Sequence, residues 1–131
     1  MAGSKNSVPQ SKAPSDAEAE TYDRLVPLLE AAHREMTELS KKKQDGVVNA
    51  LKIRILNRLL TELGTLLDND PSRGFVELLD EETLPQNSDA VLLLSQWQAA
   101  LKQYKDRHYG YDAATSSHRW FTQEQPGSRR S

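Results

Sequence analysis

Apolar residues recur at helical spacing through the middle of the chain. Tyr22, Leu25, Leu29, Ala32, Met36 and Leu39 follow one another at intervals of 3, 4, 3, 4 and 3. That alternation holds side chains on one stripe of a helix with 3.6 residues per turn, the a/d seam of a packed helix. Ser15-x-x-Glu18 supplies a capping box at the start. Pro27 lies opposite the seam and has no backbone N–H, so a kink or a later start is expected there. The helix is expected to fade within Lys41-Lys42-Lys43, where cations suit the negative end of the helix dipole.

A second helix is predicted from about Val47 to Leu67, with Asp45 as its N-cap. Val48, Leu51, Ile55, Leu59 and Leu66 form one stripe, and Leu56, Leu60, Leu63 and Leu67 widen it past half the circumference. A helix so broadly apolar is expected to be central and to touch at least two neighbours. Asp68-Asn69-Asp70-Pro71 is a strong stop. A short helix is predicted over Ser72 to Leu79, burying Phe75, Val76, Leu78 and Leu79. The last long helix runs from Asp89 to about His108, capped by Asn87 or Ser88. Its core stripe is Ala90, Leu94, Trp97, Leu101 and Tyr104, and Gly110 stands where a C′ glycine belongs.

No strand alternation of useful length and no internal repeat is visible. The pattern predicts an all-α fold, a small antiparallel helical bundle of three long helices plus one short helix. Residues 1–14 read as a flexible N-terminal tail, residues 15–111 as the bundle, and residues 112–131 as a flexible C-terminal tail with an aromatic motif.

Composition agrees with one modest core. The chain has 131 residues, 37% of them hydrophobic, and no cysteine. One domain fits that length. The missing cysteines exclude a disulfide scaffold, a thiolate nucleophile and cysteine-based metal sites. The polar start holds no secretory signal of the usual form, and Gly3 is not placed for myristoylation behind Ala2. The longest apolar run, Ala90 to Leu94, has five residues, far below the roughly 20 needed to cross a bilayer. A soluble cytoplasmic protein with no membrane partner is the expectation.

The net charge of −2 conceals a polarity. Residues 41–67 carry six basic and two acidic residues, net +4, and residues 68–89 carry one basic and seven acidic, net −6. Solvated faces explain most such patterns. A sharper reading is a bipolar surface that orients a charged partner. Lys41, Lys42, Lys43, Arg54 and Arg58 are the candidate phosphate-binding residues of a nucleic-acid reading. Lys43, Arg54 and Arg58 share a face only if the second helix extends back through Lys43.

Catalytic constellations are missing. Glu30-Ala31-Ala32-His33 has the spacing of a carboxylate-bridged metal site, but no second motif of that kind exists. Glu62, within the second helix's apolar arc, is its one supporting detail. No serine stands in a Gly-x-Ser-x-Gly elbow, and no glycine-rich phosphate loop is present. Asp80 and Glu82 lie in an exposed acidic loop. No enzyme activity, metal or cofactor is expected.

The aromatic end is the most unusual local feature. Tyr104, His108, Tyr109 and Tyr111 close the last helix, and His118-Arg119-Trp120-Phe121 follows. Trp120 and Phe121 either dock on their own bundle or anchor a partner. With Tyr109 and Tyr111 they form the candidate partner-binding set. The expected function is a small non-catalytic helical interaction module, an adaptor or regulator that binds another protein. A dimer is expected if the second helix stays partly uncovered. Nucleic-acid binding through residues 41–58 is the alternative.

Overall fold

The computed structural model describes residues 12–127. The chain is mostly helical there, with one small two-stranded sheet. Helix α1 spans Asp16–Lys42, α2 spans Ala50–Leu66 and α3 spans Asn87–His108. A 3-10 turn, Pro71–Phe75, follows α2, and strands β1, Tyr109–Asp112, and β2, Ser117–Trp120, follow α3.

The capping box of α1 forms as its sequence predicts. Ser15 Oγ accepts from the Glu18 amide at 3.1 Å, and Glu18 Oε1 accepts from the Ser15 amide at 2.9 Å. The helix continues through Pro27 as one element. Pro27 and Asp23, four residues earlier, are both exposed, so water can satisfy the carbonyl that proline leaves unbonded. Tyr22, Leu29 and Met36 are buried, with Leu25, Ala32 and Leu39 half-buried alongside.

Helix α2 begins later than predicted. Asn49, not Asp45, caps it, accepting from the Lys52 amide at 2.8 Å. The preceding residues form a ribbon instead of a helical turn. Val47 makes an antiparallel bridge with Gln86, and the Val48 amide donates to the Pro85 carbonyl at 2.9 Å. Adjacent β-branched residues suit that extended path. The buried seam of α2 is Ile53, Leu56, Leu60 and Leu63, continued by Leu67. Leu51 and Ile55, expected on the core stripe, face solvent.

The helices do not alternate in direction throughout. Tyr22 meets Leu101, His33 meets Ser95 and Lys43 meets Asn87, so α1 is antiparallel to α3. Gly46 meets Asn87, Gly64 meets Trp97 and Asp70 meets Arg107, so α2 and α3 run parallel. The connection between them must therefore return along the bundle. It does so as the 3-10 turn and an extended segment, residues 76–80.

That segment replaces the predicted short helix. Gly74 weakens helix formation, and two side chains take up the backbone groups beyond it. Asn57 Nδ2 donates to the Leu79 carbonyl and Asn57 Oδ1 accepts from the Leu79 amide, both at 2.9 Å. Trp97 Nε1 donates to the Glu77 carbonyl at 2.9 Å. Val76 and Leu79 enter the core, whereas Phe75 and Leu78 stay exposed. With this wedge between α2 and α3, the helix that closely approaches both others is α1, not α2.

Helix α3 buries its whole predicted stripe, Ala90, Leu94, Trp97, Leu101 and Tyr104, and adds His108. Its cap is Gln86, whose amide donates to Asp89 Oδ2 at 3.3 Å. Gly110 is not a C′ glycine. It pairs with Arg119 in the hairpin, and no described glycine has a positive φ.

Candidate interaction surface

The segment expected to be a C-terminal tail belongs to the fold through Gly127. Strands β1 and β2 pair antiparallel, with Tyr109 opposite Trp120, Tyr111 opposite His118 and Asp112 opposite Ser117. Asp112 organises the turn. Its Oδ1 accepts from the Ala114 amide at 3.0 Å, and its Oδ2 accepts from Arg119 Nε at 2.8 Å. Ser116 takes the left-handed conformation, φ 54°, that closes the turn. Beyond β2, the Phe121 amide donates to the His108 carbonyl, and the Gln123 amide donates to the Pro14 carbonyl. Thr122 and Gln125 donate to the Asp16 carboxylate at the start of α1.

Two carboxylates here are held below the usual carboxylate range. The Arg119 guanidinium lowers Asp112, and the Thr122 hydroxyl and Gln125 amide lower Asp16. A depressed folded-state value means that these contacts favour the folded hairpin above the ordinary carboxylate range. Their contribution is lost as pH falls through the lowered values.

Trp120 and Phe121 dock on their own bundle. Phe121 is buried, and a Cβ built on Gly127 would lie 1.9 Å from Phe121 Cδ1, so only glycine fits against that ring. Trp120 is half-buried, and its Nε1 donates to both Asp23 carboxylate oxygens, at 3.1 and 3.2 Å. Its ring meets Tyr22 edge-on at 4.9 Å and Tyr109 at 5.6 Å between centroids. The Lys105 ammonium lies over the rings of Tyr109 (4.4 Å), Trp120 (5.7 Å) and Tyr22 (5.8 Å). The lysine and three aromatic rings clasp the hairpin to α1 and α3. Of the aromatic candidates, Tyr111 alone is exposed.

The basic candidates are all exposed, but only Arg54 and Arg58 share a helix face. Lys41 and Lys42 end α1, Lys43 is its C-cap, and Arg54 and Arg58 lie on α2 beyond the extended ribbon. The continuous stripe that needed a helix through Lys43 is therefore not formed. The Glu30–His33 pair does not gather a metal-binding set. Among the described residues no three metal-ligating side chains cluster. His33 Nε2 bonds Ser95 Oγ at 2.8 Å, and Glu62 is exposed.

The feature that the sequence pattern misplaced is the outer face of α2. Leu51 and Ile55, one helical turn apart, remain 58% and 55% exposed. Leu78, from the extended segment, is 44% exposed. Leu51, Ile55 and Leu78 line an open groove of about 470 Å³ together with Arg54, Arg58 and Glu81. Leaving Leu51 and Ile55 half in water forgoes roughly 1 kcal/mol of burial for each. Apolar residues gathered in one groove mark a binding surface more often than scattered ones do. Asp80, in the turn after the extended segment, is held below the usual carboxylate range, first by the Glu82 amide.

No helix among the described residues is long and apolar enough to cross a membrane. Comparison of the chain with protein-family models, with curated proteins and with solved structures finds no match.

Proposed function

We propose that this chain is a small non-catalytic helical interaction module, an adaptor or regulator, and that its docking face is the outer side of α2. One observation carries the reading. The three helices have assembled and the hairpin has closed the far end, yet Leu51, Ile55 and Leu78, which line one groove, are still uncovered. A face that the fold leaves apolar is available to another macromolecule. The aromatic pair Trp120-Phe121 is committed to internal packing, which moves the candidate anchor from the C-terminal end to α2.

Site-specific photo-crosslinking tests this reading. A benzoyl-phenylalanine at position 55 is expected to capture a protein in host extract, and Leu51→Glu in the same chain is expected to abolish the product. The same crosslinker at position 111, on the hairpin, is the comparison. Capture from position 111 alone, or capture at 55 that survives Leu51→Glu, contradicts the assignment. Phosphate binding through Lys41, Lys42, Lys43, Arg54 and Arg58 is the alternative. It requires a gel shift with DNA or RNA that weakens steeply with salt.

A further inference from the structure

The α2 groove carries both signs of charge, and that restricts what it can hold. Arg54 and Arg58 stand on α2, and Glu81 stands on the turn after the extended segment. None of these three makes an ion pair with another described residue. Glu77, Asp80 and Glu82, close to Glu81 in sequence, are also exposed. An acidic helix laid in the groove meets Glu81 and its acidic neighbours. A basic helix meets Arg54 and Arg58. Either one is attracted by part of the face and repelled by the rest.

A second copy of the same face can avoid that conflict. In a two-fold arrangement the contacts are reciprocal, so a residue that meets a given partner residue is matched by the converse pair. The arginines of one copy can face Glu81 of the other, twice over, while Leu51, Ile55 and Leu78 of both copies leave water. We propose that the α2 groove is the self-complementary interface of a homodimer. This inference rests on the reading of α2 as the docking face and names a second copy of this chain as its occupant.

Sedimentation equilibrium of the full chain at low salt tests it. The expected result is a molar mass that rises with concentration toward twice that of one chain. Leu51→Glu is expected to give a monomer with unchanged helical circular dichroism, since the side chain is exposed. Arg58→Glu and Glu81→Arg are each expected to weaken the dimer about tenfold or more, and the two together to restore most of the affinity. A single monomeric species at every concentration up to the millimolar range overturns the dimer. A dimer that tolerates Leu51→Glu, or that the charge exchange fails to rescue, overturns its placement on this groove. Neither failure decides the crosslinking experiment: a product joining position 55 to a different protein would uphold the docking face while removing the second copy as its occupant.

Discussion

Arg107→Ala is expected to lower the stability of the folded chain by about 3 kcal/mol, the lower end of the range for removing one partner of a buried ion pair. Asp70 stands within the α2 stop sequence, and its side chain is only 1% exposed. Arg107 Nη2 donates to both of its oxygens, at 2.7 and 2.6 Å, and Nε adds a third contact at 3.2 Å. The same carboxylate accepts from the Ser72 amide at 3.0 Å and so starts the 3-10 turn. One pair thus ties the end of α2, the return segment and the end of α3. Removing the guanidinium leaves a desolvated charge with much less compensation. Arg107 itself is about one third exposed, which keeps the loss from the top of the range. Guanidinium unfolding followed by circular dichroism measures the effect. Arg107→Lys is expected to recover only part of it, because an ammonium cannot reproduce the planar, two-pronged contact. The double variant Asp70→Asn with Arg107→Ala is expected to lose less than the sum of the single losses.

Asn57→Ala is expected to cost a similar amount, about 3 kcal/mol, by a different route. The buried Asn57 amide mimics a paired strand, giving one hydrogen bond to the Leu79 carbonyl and taking one from the Leu79 amide. Alanine leaves both backbone groups without these bonds, and each such loss in a buried place costs about 1–3 kcal/mol. The return segment is expected to loosen as well, taking Val76 and Leu79 partly out of the core. Urea unfolding measures the loss. A value under about 1 kcal/mol would show that water reaches Leu79 and replaces the amide.

These two sites show where the sequence is readable and where it is not. The seams of α1 and α3 are legible because each helix has one apolar stripe and a polar remainder. The capping box at Ser15 is legible because its chemistry is local. Helix α2 is ambiguous for a physical reason. Its apolar residues cover more than half the circumference, so periodicity alone cannot choose which half is buried. The choice is made by tertiary partners: the seam through Ile53 faces the core, and Leu51 and Ile55 are left outside.

The return segment has the same origin. Phe75, Val76, Leu78 and Leu79 have helical spacing, but Asn57 and Trp97, about 20 residues away on either side, take its backbone hydrogen bonds. The hairpin carried a faint signal, since Tyr109 and Tyr111 alternate with small or polar residues, as do His118 and Trp120. Four-residue strands give too few alternations to stand out. Asp70 looks like a surface acid in a loop until the fold brings Arg107 to it.

The claim on which the functional reading depends is that the outer strip of α2 is surplus to the fold. Denaturant unfolding at a concentration low enough to keep the chain monomeric tests it directly, with Leu51→Glu/Ile55→Glu compared against Ile53→Ala. If the strip is spare, the double variant stays within about 0.5 kcal/mol of the parent chain, as surface changes do. Ile53→Ala then loses about 2–5 kcal/mol from the buried seam. A double variant that loses as much as Ile53→Ala would place Leu51 and Ile55 in the core and contradict the account.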